Sequence, residues 1–265
     1  MPRTRTRAAS SQSVRAVERA IDVLDVIKTR AEGAGVSEIS RELGLARSTV
    51  HRLLVALQKK EMVYQRADSD RYTIGRKALE LAFFAVPHLD IVYMAMPHLE
   101  ELRNRLDETA ALALKVRLCY TYVSQVPSLK EYRVTPSPGQ QYPLHWAAAG
   151  KAILAYVREE ELNECLKVVP HLSATPKTIT DPDVLLEQLE QIRRTGFAIS
   201  FGERNIGAAG IAAPIRNRQG YAHAAIALVG PESRLRQVDL EAFGRVVVEI
   251  ARNFEALCQL FGLGD

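Results

Sequence analysis

Residues 35–54 read Gly-Val-Ser-Glu-Ile-Ser-Arg-Glu-Leu-Gly-Leu-Ala-Arg-Ser-Thr-Val-His-Arg-Leu-Leu. Ile39 and Leu43 lie four residues apart and would share one face of a first helix. A second apolar helical face follows at Val50, Leu53, Leu54 and Leu57. Gly44 stands between the two patterns, where the chain must turn and a residue that tolerates positive φ is favoured. The stretch therefore predicts a helix-turn-helix, and an ordinary two-helix corner is the alternative.

The second of these helices would begin with small, polar and basic residues, which suits insertion into the major groove of DNA. Arg and His side chains reach base edges there, while hydroxyls and N-terminal backbone N–H groups bind phosphates. We predict base contacts by Arg47, Thr49 and His51, and phosphate contacts by Ser48, Arg52 and Arg71. Ser37, a candidate N-cap of the first helix, completes the predicted DNA-binding set.

The flanking sequence extends the motif to a winged helix over residues 13–75. An apolar helical stripe precedes it at Val14, Val17, Ile21, Leu24 and Ile27. Two short β-favouring runs follow at 62–65 and 72–74, separated by a turn-rich tip at 66–71. The tip holds Arg66 and Arg71 beside two aspartates, so it predicts either a phosphate or minor-groove contact or a merely solvated hairpin.

Charge is divided unequally along the chain. Residues 1–80 hold 16 Lys and Arg against 10 Asp and Glu, a net charge of +6, and the remaining residues hold 19 against 21, a net charge of −2. Positive charge that displaces counterions from phosphates is the source of sequence-independent DNA affinity. Residues 1–12 are basic and then serine-rich and are predicted to form a disordered tail, either an arm over the DNA backbone or a solvated end.

Length and composition narrow the class of protein. A chain of 265 residues predicts about two domains. Cys119, Cys165 and Cys258 are far apart and form no Cys-x-x-Cys pair, so we expect no disulfide framework, no metal site and no cofactor. No apolar segment follows the basic N-terminus or reaches the length of a membrane span, so we expect a soluble cytoplasmic protein without membrane partners.

Residues 76–90 are predicted to form a linker helix. Its apolar residues are Ala78, Leu79, Leu81, Ala82, Phe83 and Phe84, and Pro87 closes it. Such a face needs a partner, which can be its own domain or the same helix of a second copy. We predict a homodimer, because a dimer would present two recognition helices to a two-fold operator.

Residues 91–265 are predicted to form an α+β domain. We expect strand pairs at 110–116 with 120–126 and at 211–215 with 222–229. Helices are predicted at 91–106, 148–157, 182–195 and 235–261. The pattern indicates a sheet with helices beside it.

Several ordered motifs resemble the IclR-type bacterial transcription regulators. They are the winged helix, residues 143–155 (Pro-Leu-His-Trp-Ala-Ala-Ala-Gly-Lys-Ala-Ile-Leu-Ala), residues 196–199 (Gly-Phe-Ala-Ile), residues 211–215 (Ile-Ala-Ala-Pro-Ile) and Gly230-Pro231. The resemblance implies a winged helix, a linker helix and a GAF-like domain that binds a small organic effector. It also implies a dimer or a dimer of dimers that represses or activates neighbouring catabolic genes, with effector binding changing how the C-terminal domains associate.

By position, the resemblance places an effector pocket at Ala148, Ala149, Ser200, Gly210, Ala227 and Val229, with Val134 and Tyr142 more loosely placed. Family members that bind small carboxylates commonly have an acidic residue, a cysteine and two serines where this chain has Ser200, Gly210, Ala227 and Val229. Burying a carboxylate without donors is costly. We therefore expect a larger or more apolar effector, such as an aromatic acid, with its charge met by backbone N–H groups of residues 148–150, by Arg133 or by Arg204. The alternative is that Ala227 and Val229 are strand core.

Two other classes of function are weighed against this one. His145 near Ser137 or Lys151 could suggest nucleophilic chemistry, but no hydrolase or metalloprotease motif frames them. Residues 202–207 have only two of the glycines of a dinucleotide fingerprint. We therefore predict no enzyme activity, and a winged helix used for protein contact is the third alternative.

Overall fold

The computed structural model describes residues 6–30, 32–66, 69–85 and 89–264. The chain forms two compact units, Met1–Pro87 and His88–Asp265. The predicted linker helix is counted with the first unit. Within the segments that the structure describes, no helix is long and apolar enough to cross a membrane.

The first unit combines four helices with a small sheet. The elements are α1 (Thr6–Lys28), β1 (Ala34–Gly35), α2 (Val36–Leu43), α3 (Arg47–Lys59), β2 (Val63–Gln65), β3 (Arg71–Ile74) and α4 (Arg76–Ala85). The strands are antiparallel in the order β1-β3-β2. This is the predicted winged helix. Ala67 and Asp68 of the predicted wing tip, and Pro87 after the linker helix, lie outside the described residues.

The turn between α2 and α3 forms at Gly44 as predicted. Gly44 has φ of 63° and is the left-handed C-cap of α2. Ser40 Oγ donates a hydrogen bond to the carbonyl oxygen of Leu45 at 2.6 Å, which fixes the chain as it leaves the turn. Ile39, Val50 and Leu54 are fully buried in the core between the two helices.

Helix α1 differs from the prediction in two ways. It begins at Thr6, inside the stretch 1–12 predicted to be disordered, because residues 6–28 contain no Gly or Pro and are rich in alanine. Residues 1–5 of that tail lie outside the described residues. Its buried face is Val23, Val26 and Ile27, whereas Val17 and Ile21 are 58% and 54% exposed. Of the predicted stripe, Val17 and Ile21 are therefore left uncovered by their own unit, whereas Ile27 lies in the core and Leu24 packs against it.

The second unit is built on a six-stranded antiparallel sheet in the order β6-β5-β4-β9-β8-β7. The strands are β4 (Thr109–Val116), β5 (Cys119–Val126), β6 (Gln141–Pro143), β7 (Ala198–Phe201), β8 (Ala208–Arg216) and β9 (Ala222–Pro231). Both predicted strand pairs form, with Ala110 opposite Val126 and Ile211 opposite Leu228. Pairing of β4 with β9 joins the two hairpins, and the edge strands β6 and β7 were not predicted.

Helices cover both faces of this sheet. They are α5 (Leu89–Leu106), α6 (Ala147–Leu154), α7 (Glu159–Val168), a 3-10 turn (Val169–His171), α8 (Pro182–Thr195), α9 (Glu232–Leu235) and α10 (Leu240–Leu260). Helices α5 and α10 pack on one face and α6, α7 and α8 on the other. The predicted helix 235–261 is broken, because the Asp239 carboxylate accepts the backbone N–H groups of Glu241 and Ala242 and starts α10 anew.

The face of the sheet below α6 carries small side chains. On β9, Ala225, Ala227 and Val229 point to this face, while Ile226 and Leu228 point to the α10 side. Helix α6 lies close to the sheet at Gly150, where an added Cβ would be 2.9 Å from the Tyr120 ring of β5 and 2.4 Å from the carbonyl oxygen of Leu144. Small residues on both partners create the site described below.

Candidate DNA-binding surface and effector pocket

Helix α3 presents the predicted DNA-binding side chains on its outer face. Arg47, Ser48, His51 and Arg52 are exposed, and Thr49 is half-buried. Within the described segments Arg47 and Arg52 form no ion pair, so their charges are available for DNA. Ala46, the N-cap of α3, supplies no side-chain cap. The first backbone N–H groups of the helix can therefore bind a phosphate.

Ser37 is exposed on the first turn of α2, but it is not the N-cap. The N-cap is Gly35, whose backbone N–H donates to the Glu38 carboxylate at 3.0 Å. The N-cap thus lies two residues earlier than predicted, at the residue that also pairs with Arg71 of β3. The Ser37 hydroxyl remains free to face a phosphate.

Arg71 serves the fold of the wing instead of presenting a free cation. Its guanidinium donates to the Glu38 carboxylate at 2.9 and 3.2 Å and to the carbonyl oxygen of Gly33 at 2.9 Å. The hydrogen bond from Gly35, and then Arg71, lower the pKa of the Glu38 carboxyl. Arg66 similarly pairs with Glu32 at 3.0 Å. The geometry therefore argues against the predicted phosphate contact by Arg71, because its donors are already engaged.

A groove of about 550 Å³ runs between α1 and α3. Arg15 and Arg19 line it from α1, and Thr49 and Arg52 line it from α3. The two α1 arginines were missed as candidate DNA contacts. Their spacing of four residues on a helix, within the stretch 1–80 that carries a net charge of +6, was the available signal.

The second unit contains a small cavity between the start of α6 and strands β7, β8 and β9. Six of the eight predicted effector residues line it: Ala148, Ala149, Ser200, Gly210, Ala227 and Val229. Val134 and Tyr142 do not. Val134 packs on the neighbouring core, and the Tyr142 ring lies behind Arg204. The cavity measures about 20 Å³, which holds about one water molecule.

Arg204 brings a positive charge to this cavity, whose other lining residues are uncharged. Its guanidinium carbon lies 4.4 Å from the centre of the Tyr142 ring and 5.4 Å from that of Tyr122. Nη1 of Arg204 is buried and has no hydrogen-bond partner in the described part of the chain. Burial raises the pKa of the Tyr122 hydroxyl, so this ring stays neutral beside the guanidinium.

Arg204 was predicted as one of three ways to meet the effector's charge, and the structure favours it. Arg133 is exposed and donates to the carbonyl oxygen of Lys130. The backbone at the start of α6 also lines the cavity, and Ala147 there has φ of 58°, which is uncommon for a non-glycine residue. Tyr122 and Asn205 also line the cavity and were missed, because nothing in their local sequence marks them.

Comparison with known proteins identifies the two domains that carry these candidate sites. Residues 16–67 match the IclR helix-turn-helix domain, and residues 83–256 match the bacterial transcriptional regulator IclR C-terminal domain. The chain belongs to the IclR family.

Several curated relatives of this IclR-family chain are transcriptional regulators. It is 34% identical over 245 residues to the HTH-type transcriptional regulator BhcR of Paracoccus denitrificans, covering 92% of this chain and 88% of BhcR. It is 30% identical over 244 residues to the HTH-type transcriptional repressor AllR of Escherichia coli K12, covering 92% of this chain and 90% of AllR. These relatives confirm the prediction that the chain is a DNA-binding regulator and not an enzyme.

Solved structures of the family share the fold. The Thermotoga maritima IclR structure has a TM-score of 0.74 at 31% identity, covering 92% of this chain and 98% of that one. An IclR homologue from Microbacterium hydrocarbonoxydans, complexed with 4-hydroxybenzoate, has a TM-score of 0.79 at 25% identity, covering 91% and 98%. The predicted combination of winged helix and α+β effector domain is confirmed.

The residues considered for nucleophilic chemistry have other partners in this regulator. His145 is buried, and its Nε2 lies 3.1 Å from the carbonyl oxygen of Leu172. The Lys151 ammonium is bound by Glu203. Across the described segments no group of three or more His, Cys, Asp or Glu side chains could hold a metal ion. The three cysteines are free thiols.

Proposed function

We propose that this IclR-family regulator binds an operator through α3 and that an aromatic carboxylic acid in the α6 cavity controls the binding. The observation that carries the effector class is Arg204, whose buried Nη1 has no hydrogen-bond partner among the described residues and can donate to a carboxylate. The alanine-rich walls and the Tyr122 ring suit the apolar body of such a ligand. The homologue complexed with 4-hydroxybenzoate supports the same class.

The cavity must widen to admit a ring. Its present volume suits about one water molecule, and its walls on β8 and β9 are central strands of the sheet. The segment 202–207 between β7 and β8 is the wall that can move outward, because it is a loop and holds the exposed residues Asn205 and Ile206. We infer that effector entry displaces this segment and carries Arg204 with it.

On DNA, we propose base contacts by Arg47, Thr49 and His51 and phosphate contacts by Ser37, Ser48 and Arg52. Arg15 and Arg19 extend the phosphate contacts along α1, because they face the same groove as Arg52. The proposed target is an operator next to a catabolic operon.

The proposed assembly is a homodimer, with a dimer of dimers as the larger form. Val17 and Ile21 on α1 and Leu81 on α4 are large apolar residues left exposed by their own unit. A two-fold pairing of these helices would cover them and set the spacing of two α3 helices on DNA.

Fluorescence anisotropy tests the proposal with full-length protein and labelled DNA from upstream of its own gene. The titration is repeated over a salt series, with and without a panel of aromatic and aliphatic acids. We expect site-specific, salt-steep binding that shifts with an aromatic acid. Binding no tighter than to random DNA would contradict the operator role, and an affinity unmoved by every acid would contradict the effector class.

A further inference from the structure

A lysine and a glutamate are buried together beside the effector cavity. Lys151 of α6 is fully buried, and its ammonium donates to Glu203 Oε1 at 2.5 Å, Gln188 Oε1 at 2.7 Å and the carbonyl oxygen of Ile199 at 3.0 Å. All three of its donors are therefore used. The partners come from α8, from β7 and from the segment that follows β7, so one ammonium ties three elements to α6.

Stability alone is a poor explanation for this pair. Two apolar residues of similar volume often stabilise a core as well as a buried ion pair does, because both charges lose their hydration. Glu203 is buried as well, and burial raises the pKa of its carboxyl despite the Lys151 ammonium and a hydrogen bond from the Ala147 backbone N–H. The arrangement indicates that the pair serves to fix the position of the chain at Glu203.

The same segment is also held through its backbone. Thr175 Oγ1 donates to the carbonyl oxygen of Gly202 at 2.7 Å, and Thr178 Oγ1 donates to that of Glu203 at 2.6 Å. The Gly202 N–H donates to the carbonyl oxygen of Ala208 at 2.7 Å. The two residues before Arg204 are thus held both through the Glu203 side chain and through their backbone carbonyl oxygens.

We propose that Lys151 and Glu203 are positioning residues that hold Arg204 in the effector cavity. We call the Lys151–Glu203 pair and its hydrogen bonds the clamp. This inference rests on the proposed function for the identity of the ligand, but the clamp itself is a property of the free protein. Glu203 and Arg204 are adjacent, so release of the Glu203 carboxylate leaves the backbone that carries the guanidinium held only by its own hydrogen bonds, among them those from Thr175 and Thr178. The clamp sets effector affinity through Arg204 and limits how far segment 202–207 opens.

The first test is a double-mutant cycle on binding of 4-hydroxybenzoate, measured by calorimetry with full-length protein. We expect Glu203→Gln to weaken binding by about tenfold in the wild-type background. In an Arg204→Met background the same change should have no further effect, since its route to the ligand is gone. Equal losses in both backgrounds would overturn the proposal, because a purely structural role does not depend on Arg204.

A second variant guards against loss of folding. Glu203→Gln leaves a buried ammonium without its counter-charge, whereas Lys151→Met with Glu203→Met removes both charges and should fold. The folded double variant should still bind the acid about tenfold more weakly. Full recovery of affinity in the folded double variant would overturn the proposal, because it would show that charge balance alone mattered.

The partly buried pair Lys115 and Glu161 is the matched control, since it joins β4 to α7 outside the cavity. Changing both of those residues to Met should leave affinity for the acid unchanged.

Hydrogen exchange tests the clamp without any ligand. The Gly202 amide donates to the carbonyl oxygen of Ala208, and the Ala208 amide donates to that of Asn205. Both amides should exchange about tenfold faster in the variant with Lys151→Met and Glu203→Met, while the amides of β9 stay protected. Unchanged exchange at Gly202 and Ala208 would overturn the clamp. If the wild type bound none of the acids but the exchange result held, the effector class alone would be refuted.

Discussion

Replacing Arg204 with Met isolates the contribution of one guanidinium to effector binding. Methionine keeps an unbranched stem beside the Tyr122 and Tyr142 rings but removes the charge and the unpartnered Nη1. A hydrogen bond to a charged group contributes about 1.5–3 kcal/mol. At about 1.4 kcal/mol per tenfold change, the variant should bind an aromatic acid roughly 10- to 150-fold more weakly.

The assay compares 4-hydroxybenzoate with its uncharged amide, 4-hydroxybenzamide, by calorimetry and by the emission of Trp146, which directly precedes α6. The wild type should prefer the acid, and the variant should bind the two compounds about equally, because only the acid uses the guanidinium charge. Arg133→Met is the matched control. It removes the same charge from an exposed arginine outside the cavity and should retain the preference for the acid.

Two results would refute this reasoning. Unchanged affinity of Arg204→Met for every acid that the wild type binds would show that the carboxylate is met elsewhere, with the backbone at the start of α6 as the remaining candidate. Equal loss of acid and amide binding would show that Arg204 shapes the cavity without contacting charge.

Four further predictions concern the DNA-binding unit and the effect of pH. Arg47→Ala should relax specificity at one base position, whereas Arg52→Ala should weaken binding uniformly and lower the salt slope by about one; identical behaviour of the two variants on a set of mutated operators would contradict the assigned roles. Arg71→Met should lower the thermal stability of the wing and its DNA affinity while leaving the salt slope unchanged, and a slope reduced by about one would restore Arg71 as a phosphate contact. Leu54→Ala should cost about 2–5 kcal/mol in the urea unfolding of the first unit, because the side chain is fully buried, and a cost below about 1 kcal/mol would contradict the core assignment. Burial lowers the pKa of His145 in the folded protein. The contribution of the neutral ring to stability is therefore fully present above the unfolded pKa of about 6.5, and it is lost as the pH falls below that value toward the folded pKa. His145→Gln should reduce the pH dependence of the free energy of unfolding in this window, and an unchanged pH profile would contradict the prediction.

The local elements were predictable because their signals are short in range. Apolar spacing placed α2 and α3, and Gly44 marked the turn that its positive φ then adopted. Alternating apolar runs placed both hairpins of the second unit. The prediction failed where one helix has more than one set of apolar residues that could be buried. Helix α1 has apolar residues on more than one face, and only contact with α2, α3 and β3 selects Val23, Val26 and Ile27 as the buried ones.

Long-range partners decided the roles of the charged residues. In the sequence Arg71 resembles a cation at the tip of the wing. In the structure β3 lies beside the start of α2, so the Arg71 guanidinium donates to the Glu38 carboxylate. Lys151 and Glu203 are 52 residues apart and meet only because α6 packs across β7. An ion pair at such a separation has no periodicity to reveal it.

The amino-acid sequence by itself determined the family, the winged helix, the two central hairpins of the second unit, and most of the cavity's small residues. Only the tertiary structure decided that β4 pairs with β9, that Tyr122 and Tyr142 flank Arg204, and that the segment carrying Arg204 is held from both sides. The physical reason is range. Helix and hairpin patterns are set by neighbours within a few residues, whereas the geometry of a charged group in a cavity depends on elements that packing brings together from distant parts of the chain.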